Sequence, residues 1–179
     1  RSPNFVVPKG SIDCHFHIIG PQTFYPLAPT APVALEDSTL ADYLAVQSKL
    51  GLSRGVIITS FGHGFDYQHL LHAMAQEPSR FKAVTMLAPD VTDTEIAMLS
   101  DAGVVGARFF AGYPPTAHML ARLAEIGWSA HLLMSPPLEE AWRPLLDGFA
   151  GKLVLEHSGL PAIEEGIQGA YFKRVLRYL

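Results

Sequence analysis

Gly10-Ser11-Ile12-Asp13-Cys14-His15-Phe16-His17-Ile18-Ile19-Gly20 is the stretch whose reading decides the fold. Its apolar and β-branched content, closed by the turn signal Gly20-Pro21, predicts a strand over Ile12–Ile19. Residues two apart in a strand project to the same face, so Asp13, His15 and His17 share one side, with the imidazoles at the C-terminal end. Parallel α/β proteins bind their ligands at that end. Two histidines so placed suit a metal ion or a carboxylate-rich substrate; they also suit solvated or core groups that merely hydrogen-bond to neighbours.

Working outward, further β-rich runs follow at Gly55–Phe61, Lys82–Leu87, Gly106–Phe110, Ala130–Met134 and Lys152–Glu156. Helical patterns alternate with them: Leu40–Leu50, Asp66–Glu77, Thr92–Ala102, Thr116–Ile126, Leu138–Phe149 and a last one from Gly169 to the end. Ser38 or Thr39 caps the first helix, Asp93 the third, and Gly51, Gly103 and Gly127 stand just past helix ends, where a left-handed residue is favoured. Alternation with short links implies parallel strands joined by right-handed crossovers, an α/β fold. An open doubly wound sheet and a closed β/α barrel both satisfy it. No glycine-rich phosphate loop follows the first strand; instead Pro21, Pro26, Pro29 and Pro32 mark a long irregular loop. Six strands fall short of the eight in a barrel of about 250 residues. No repeat, low-complexity tract or linker divides the chain, so a single domain over 1–179 is expected.

Composition narrows the function classes. With 179 residues, 49% hydrophobic and 17% charged, the chain can bury a sizeable core. A net charge of -4 without a basic run gives no footprint for nucleic acid or an anionic membrane surface, leaving a small-molecule substrate as the expected partner. Cys14 is the one cysteine, which excludes an intrachain disulfide and fits a reducing cytoplasm. No stretch has the apolar length of a membrane span. The chain starts without Met, which fits a processed or trimmed start.

Polar groups recur at the predicted strand ends: Asp13, His15 and His17 on the first, Ser60 and His63 on the second, Arg108 on the fourth, Glu156 and His157 on the sixth. Three neutral imidazoles, His15, His17 and His157, form a ligand set for zinc or another borderline divalent ion, with an open position for water. The same imidazoles, without metal, polarise a carbonyl or bind a carboxylate. Arg108, inside an apolar strand, either forks a substrate carboxylate or pairs with a core acid such as Asp13 or Glu156. Ser60 either meets substrate or closes a turn, and it lacks a nucleophile elbow. A buried Asp13 needs a partner, a proton or a cation. His69, His72 and His118 read as solvated or helix-packing groups, and His131 as structural.

Several blocks in order carry a resemblance: Ile12-Asp-Cys-His-Phe-His-Ile-Ile-Gly-Pro21, Arg54-Gly-Val-Ile-Ile-Thr-Ser60 with His63-Gly64, Gly103-Val-Val-Gly-Ala-Arg-Phe109, and Leu155-Glu-His-Ser-Gly-Leu-Pro161. Together they resemble the amidohydrolase superfamily, in the branch of 2-pyrone-4,6-dicarboxylate lactonase and related metal-dependent hydrolases and decarboxylases. The resemblance implies a distorted β/α (TIM) barrel with six of its eight strands in this chain. It implies His15, His17 and His157 as catalytic imidazoles, which also hold the metal if zinc or manganese is bound, and Ser60, His63 and Arg108 near the substrate. It further implies a water-activating aspartate on an eighth strand. The segment 170–179 resembles the sixth helix, so about a third of the barrel is expected beyond it. Six strands alone would leave two open edges, which favour association, and a homo-oligomer is among the expected states. Leu160 replaces an arginine of the family pattern, Phe109-Phe-Ala-Gly-Tyr-Pro-Pro115 has no second arginine, and Leu132-Leu-Met134 lacks the family's tyrosine. These departures imply a less charged substrate than a dicarboxylated pyrone. The expected reaction is attack of water on a lactone or related ester carbonyl; the alternatives are a zinc-dependent decarboxylase and a truncated, non-catalytic binding domain.

Overall fold

The computed structural model describes residues 4–31 and 34–178, so Pro32 of the proline-rich loop and the terminal Leu179 lie outside the described residues. Two compact units divide the chain, Arg1–Val105 and Gly106–Leu179.

The first unit carries β1 (Ile12–Phe16), α1 (Leu40–Leu50), β2 (Arg54–Ile58), α2 (Gln68–Gln76), β3 (Phe81–Thr85) and α3 (Asp93–Ala102). β2 pairs in parallel with β1 and with β3, and Ile57 opposes Phe16 on one side and Ala83 on the other. Phe16, Ile57, Ile58, Leu70, Met74, Phe81, Val84 and Leu99 are buried here. β1 is shorter than the predicted Ile12–Ile19. Its register slips between Asp13 and Phe16, and Ile19 leaves the sheet to exchange backbone hydrogen bonds of 2.8 Å with Ser38. That irregularity puts His17 just past the strand end, a tertiary effect that period-2 alternation does not encode.

In the second unit β4 (Val104–Phe109, beginning two residues before the division) is followed by α4 (Ala117–Ile126), β5 (Ser129–Leu132), α5 (Pro136–Leu146), β6 (Lys152–Leu155) and α6 (Ala170–Val175). β5 pairs in parallel with β4 and β6, with Arg108 opposite His131 and Leu132 opposite Leu155. β4 is buried along almost its whole length, as parallel strands covered on both faces are. α4 buries Met119, Leu120 and Leu123, one apolar stripe at helical spacing. Pro136 opens α5, where a missing N–H costs nothing and φ is already helical.

The observed caps explain the helix limits. Thr39 and Asp42 form a reciprocal capping box on α1, with Thr39 N–H donating to Asp42 Oδ2 at 2.9 Å. Thr92, rather than the expected Asp93, caps α3 by accepting from the Glu95 amide at 3.2 Å, because its backbone is extended while Asp93 is already helical. Gly51, Gly103 and Gly127 all end their helices at positive φ. Among the described residues no helix is long and apolar enough to cross a membrane.

Candidate active site

In the first unit the His15 and His17 rings meet edge to face, with centroids 5.1 Å apart. His17 Nδ1 lies 2.7 Å from the carbonyl oxygen of Ile58. A carbonyl only accepts, so Nδ1 carries the proton and Nε2 presents a lone pair. Metal-bound imidazoles are oriented in this manner, and His17 therefore has the chemistry of a divalent-ion ligand. Asp13 stands behind His15: Oδ1 accepts from the His15 amide at 3.0 Å and Oδ2 from the Tyr43 hydroxyl at 3.2 Å. The partner that a partly buried Asp13 requires is thus a tyrosine of α1. Burial, then the charge and hydrogen bond of Asp13, push the Tyr43 phenol up.

Ser60 and His63 follow β2 in a short 3₁₀ turn, Phe61–His63. The Ser60 hydroxyl caps this turn, accepting from the Gly62 amide at 3.2 Å, and lies 3.3 Å from His63 Nδ1. His63 is buried and stacks on His69 of α2, with centroids 3.9 Å apart and planes 21° from parallel. His69 belongs to the helix-packing class expected of it, but sequence reasoning gave it no part near His63. Burial first, then the charges of His63 and His17, bring its pKa down to about 3, while burial lowers His63. Both ring nitrogens of His69 are buried without a hydrogen-bond partner. His72 bonds to the Tyr25 hydroxyl, and His118 is exposed on α4.

The second unit answers the question about Arg108. Its side chain is buried in β4, and Nε donates to both oxygens of Glu156, at 2.9 and 3.1 Å, while a terminal nitrogen donates to Oε2 at 2.7 Å. Of the two readings the sequence leaves open for this fork, the pairing with Glu156 is formed. Two buried ions desolvated together require such bidentate geometry. Register decides it: Arg108 ends β4 and Glu156 follows β6, a relation that sequence spacing does not disclose. His131, between them on β5, is buried with Nε2 3.1 Å from the Ser129 hydroxyl.

Past Glu156 the chain turns left-handed. His157, Ser158, Gly159 and Leu160 all take positive φ, at 50°, 56°, 77° and 53°. For each non-glycine residue this conformation costs about 1–2 kcal/mol. His157 is exposed on this turn. Such strain persists only where the surroundings over-determine it, which is commonest at working sites.

The fold and these side chains define an α/β protein with imidazole, carboxylate and guanidinium groups at the C-terminal ends of parallel strands. The amidohydrolase family model matches residues 12–179, and the chain belongs to that family. It is 26% identical over 186 residues to 2-pyrone-4,6-dicarboxylate hydrolase of Comamonas testosteroni, covering 99% of this chain and 61% of that protein. It is 30% identical over 187 residues to 4-sulfomuconolactone hydrolase of Rhizobium radiobacter, covering 98% and 62%. The chain thus spans about three fifths of the length of these relatives. A crystal structure from Acinetobacter baumannii, described as a probable 2-pyrone-4,6-dicarboxylic acid hydrolase with citric acid bound, superimposes with a TM-score of 0.82 at 22% identity, over 94% of this chain and 66% of that one. An Agrobacterium tumefaciens structure gives 0.80 at 22% identity, over 98% and 66%. The fold is accordingly that of the amidohydrolase β/α barrel, with six of its strand–helix repeats present in this chain.

Proposed function

We propose that the protein is a hydrolase that opens a lactone or related ester carbonyl of a small carboxylated substrate by attack of water. The observation that carries this reading is the His15/His17 pair at the end of β1, with His17 pinned through Nδ1 to the Ile58 carbonyl. With Nδ1 donating to Ile58, His17 keeps Nε2 as a fixed acceptor, the role that suits a proton of the attacking water or a divalent ion, while His15 serves as the donor to the oxyanion formed when water adds to the carbonyl. The 4-sulfomuconolactone and pyrone dicarboxylate hydrolases among its relatives support a lactone as the substrate class.

His157 is the group that polarises the scissile carbonyl, and the proton lost by the attacking water ends on the ring oxygen that leaves. Ser60 and His63 line the substrate side of the β2 end. Arg108, engaged by Glu156, acts by holding that carboxylate at the foot of the His157 turn rather than by taking the substrate's own charge. Leu160, half exposed where the family pattern has an arginine, supports a substrate with fewer negative groups than a pyrone dicarboxylate. Zinc or manganese, if bound, would be held through His15 and His17 and would supply Lewis-acid polarisation and an acidified water.

Turnover of a lactone panel that includes 4-sulfomuconolactone and 2-pyrone-4,6-dicarboxylate tests the reading in the full-length protein. At least one lactone is expected to be hydrolysed, and His157→Ala to lower kcat by about a hundredfold or more. Wild-type turnover by His157→Ala on every substrate would overturn the assignment.

A further inference from the structure

We propose that Tyr171 is a positioning residue that holds the His157 turn in its left-handed form. This rests on the reading of His157 as a reacting group. A run of four positive-φ residues, three of them not glycine, does not keep that conformation unaided. It is gripped at both ends. At the start, Arg108 forks Glu156 in the buried end of β4. At the far end, the Tyr171 hydroxyl of α6 donates to the Gly159 carbonyl, and the Leu160 amide bonds back to the His157 carbonyl at 3.1 Å.

Tyr171 is suited to this. It is buried, and burial with the nearby Glu139 charge raises its phenol to about 12, so the hydroxyl remains a donor at any working pH. Its helix is itself fixed, because Arg174 donates to Glu139 of α5 at 2.9 Å. Gly159 is required at the contact: a Cβ there would lie 3.0 Å from Val175 Cγ2 and 3.3 Å from the Tyr171 hydroxyl, at a φ of 77° that side chains avoid. One hydroxyl therefore fixes the backbone two residues from the imidazole without touching it.

Tyr171→Phe keeps the ring and removes the bond. On whichever lactone the full-length wild type hydrolyses, kcat is expected to fall tenfold or more, with KM within twofold and the thermal midpoint little changed. Gly159→Ala should act in the same direction. Tyr178→Phe removes a 3.0 Å bond to Glu139 rather than to the turn, and should leave kcat within twofold. The geometric claim is read without turnover: imidazole ¹H–¹⁵N signals of His157, assigned through His157→Ala, should move in Tyr171→Phe while those of His118 stay. Unmoved His157 signals together with unchanged kcat in Tyr171→Phe would overturn the positioning role. Wild-type turnover by His157→Ala would instead overturn the catalytic reading beneath it, so the two failures are distinguishable.

Discussion

His69 holds both ring nitrogens away from water and from any hydrogen-bond partner while its face lies on His63. An unsatisfied buried polar group costs about 1–3 kcal/mol, so His69→Phe, which keeps a stacking ring and drops the nitrogens, is expected to stabilise the fold by about 1 kcal/mol or more in urea titration. The sign with pH follows from the depressed pKa. The unfolded imidazole binds its proton near pH 6.5 and the folded one only near 3, so stability is intact above about 6.5 and is lost as the pH falls toward 3. His69→Phe should remove that slope. A histidine on a helix gives no sign of this in sequence, because burial of both nitrogens depends on where the loop after β2 sets His63. The Arg108 reading was half legible in the same sense: a charge inside an apolar strand demands a partner, but which one depends on register.

Between α5 and α6, Glu139 gathers three partners: Arg143 at 2.9 Å, Arg174 at 2.9 Å and the Tyr178 hydroxyl at 3.0 Å. The Arg143 hydrogen bond, aided by those of Arg174 and Tyr178, holds its carboxyl down at about 2 against the ordinary 4.5, with burial opposing. That contribution is complete above about pH 4.5 and disappears as the pH falls through 2. Glu139→Gln should cost about 2–4 kcal/mol near neutral pH and flatten the acid limb of the stability curve. In the first unit, α1 and β1 share a joint of another kind. Phe16 stacks on Tyr43 with centroids 3.5 Å apart, directly over Gly55, whose Cβ would meet the Phe16 ring at 2.6 Å. Gly55→Ala is expected to destabilise by about 1–3 kcal/mol and to disturb the Tyr43–Asp13 bond, visible as a changed environment of the His15 amide. Helix order and the glycine stops were readable because periodicity and capping are local properties. The end of β1 was not, since the Ile19–Ser38 bridge and the slipped register are formed across the fold.

On acidification of the whole chain, the two titrating clusters should give way in sequence. The His69 window opens below pH 6.5 and the Glu139 window below 4.5, so amide exchange in α2 should rise at a higher pH than in α6. Simultaneous loss of protection would mean that neither cluster controls its own surroundings. The α/β class was legible from alternating elements alone, and four motif blocks in order carried the family. Tyr171 was beyond sequence reasoning, since a tyrosine on a helix reads as ordinary core until its hydroxyl is seen on Gly159. One property of the topology bears on how the chain is made. In each unit the strands pair in chain order, β1 with β2 and β2 with β3, then β4 with β5 and β5 with β6. Within each unit, a strand–helix repeat after the first can therefore dock on the one translated just before it. Inside a unit, the edge of a strand that faces the next one therefore stays unpaired only for the time needed to synthesise a single repeat.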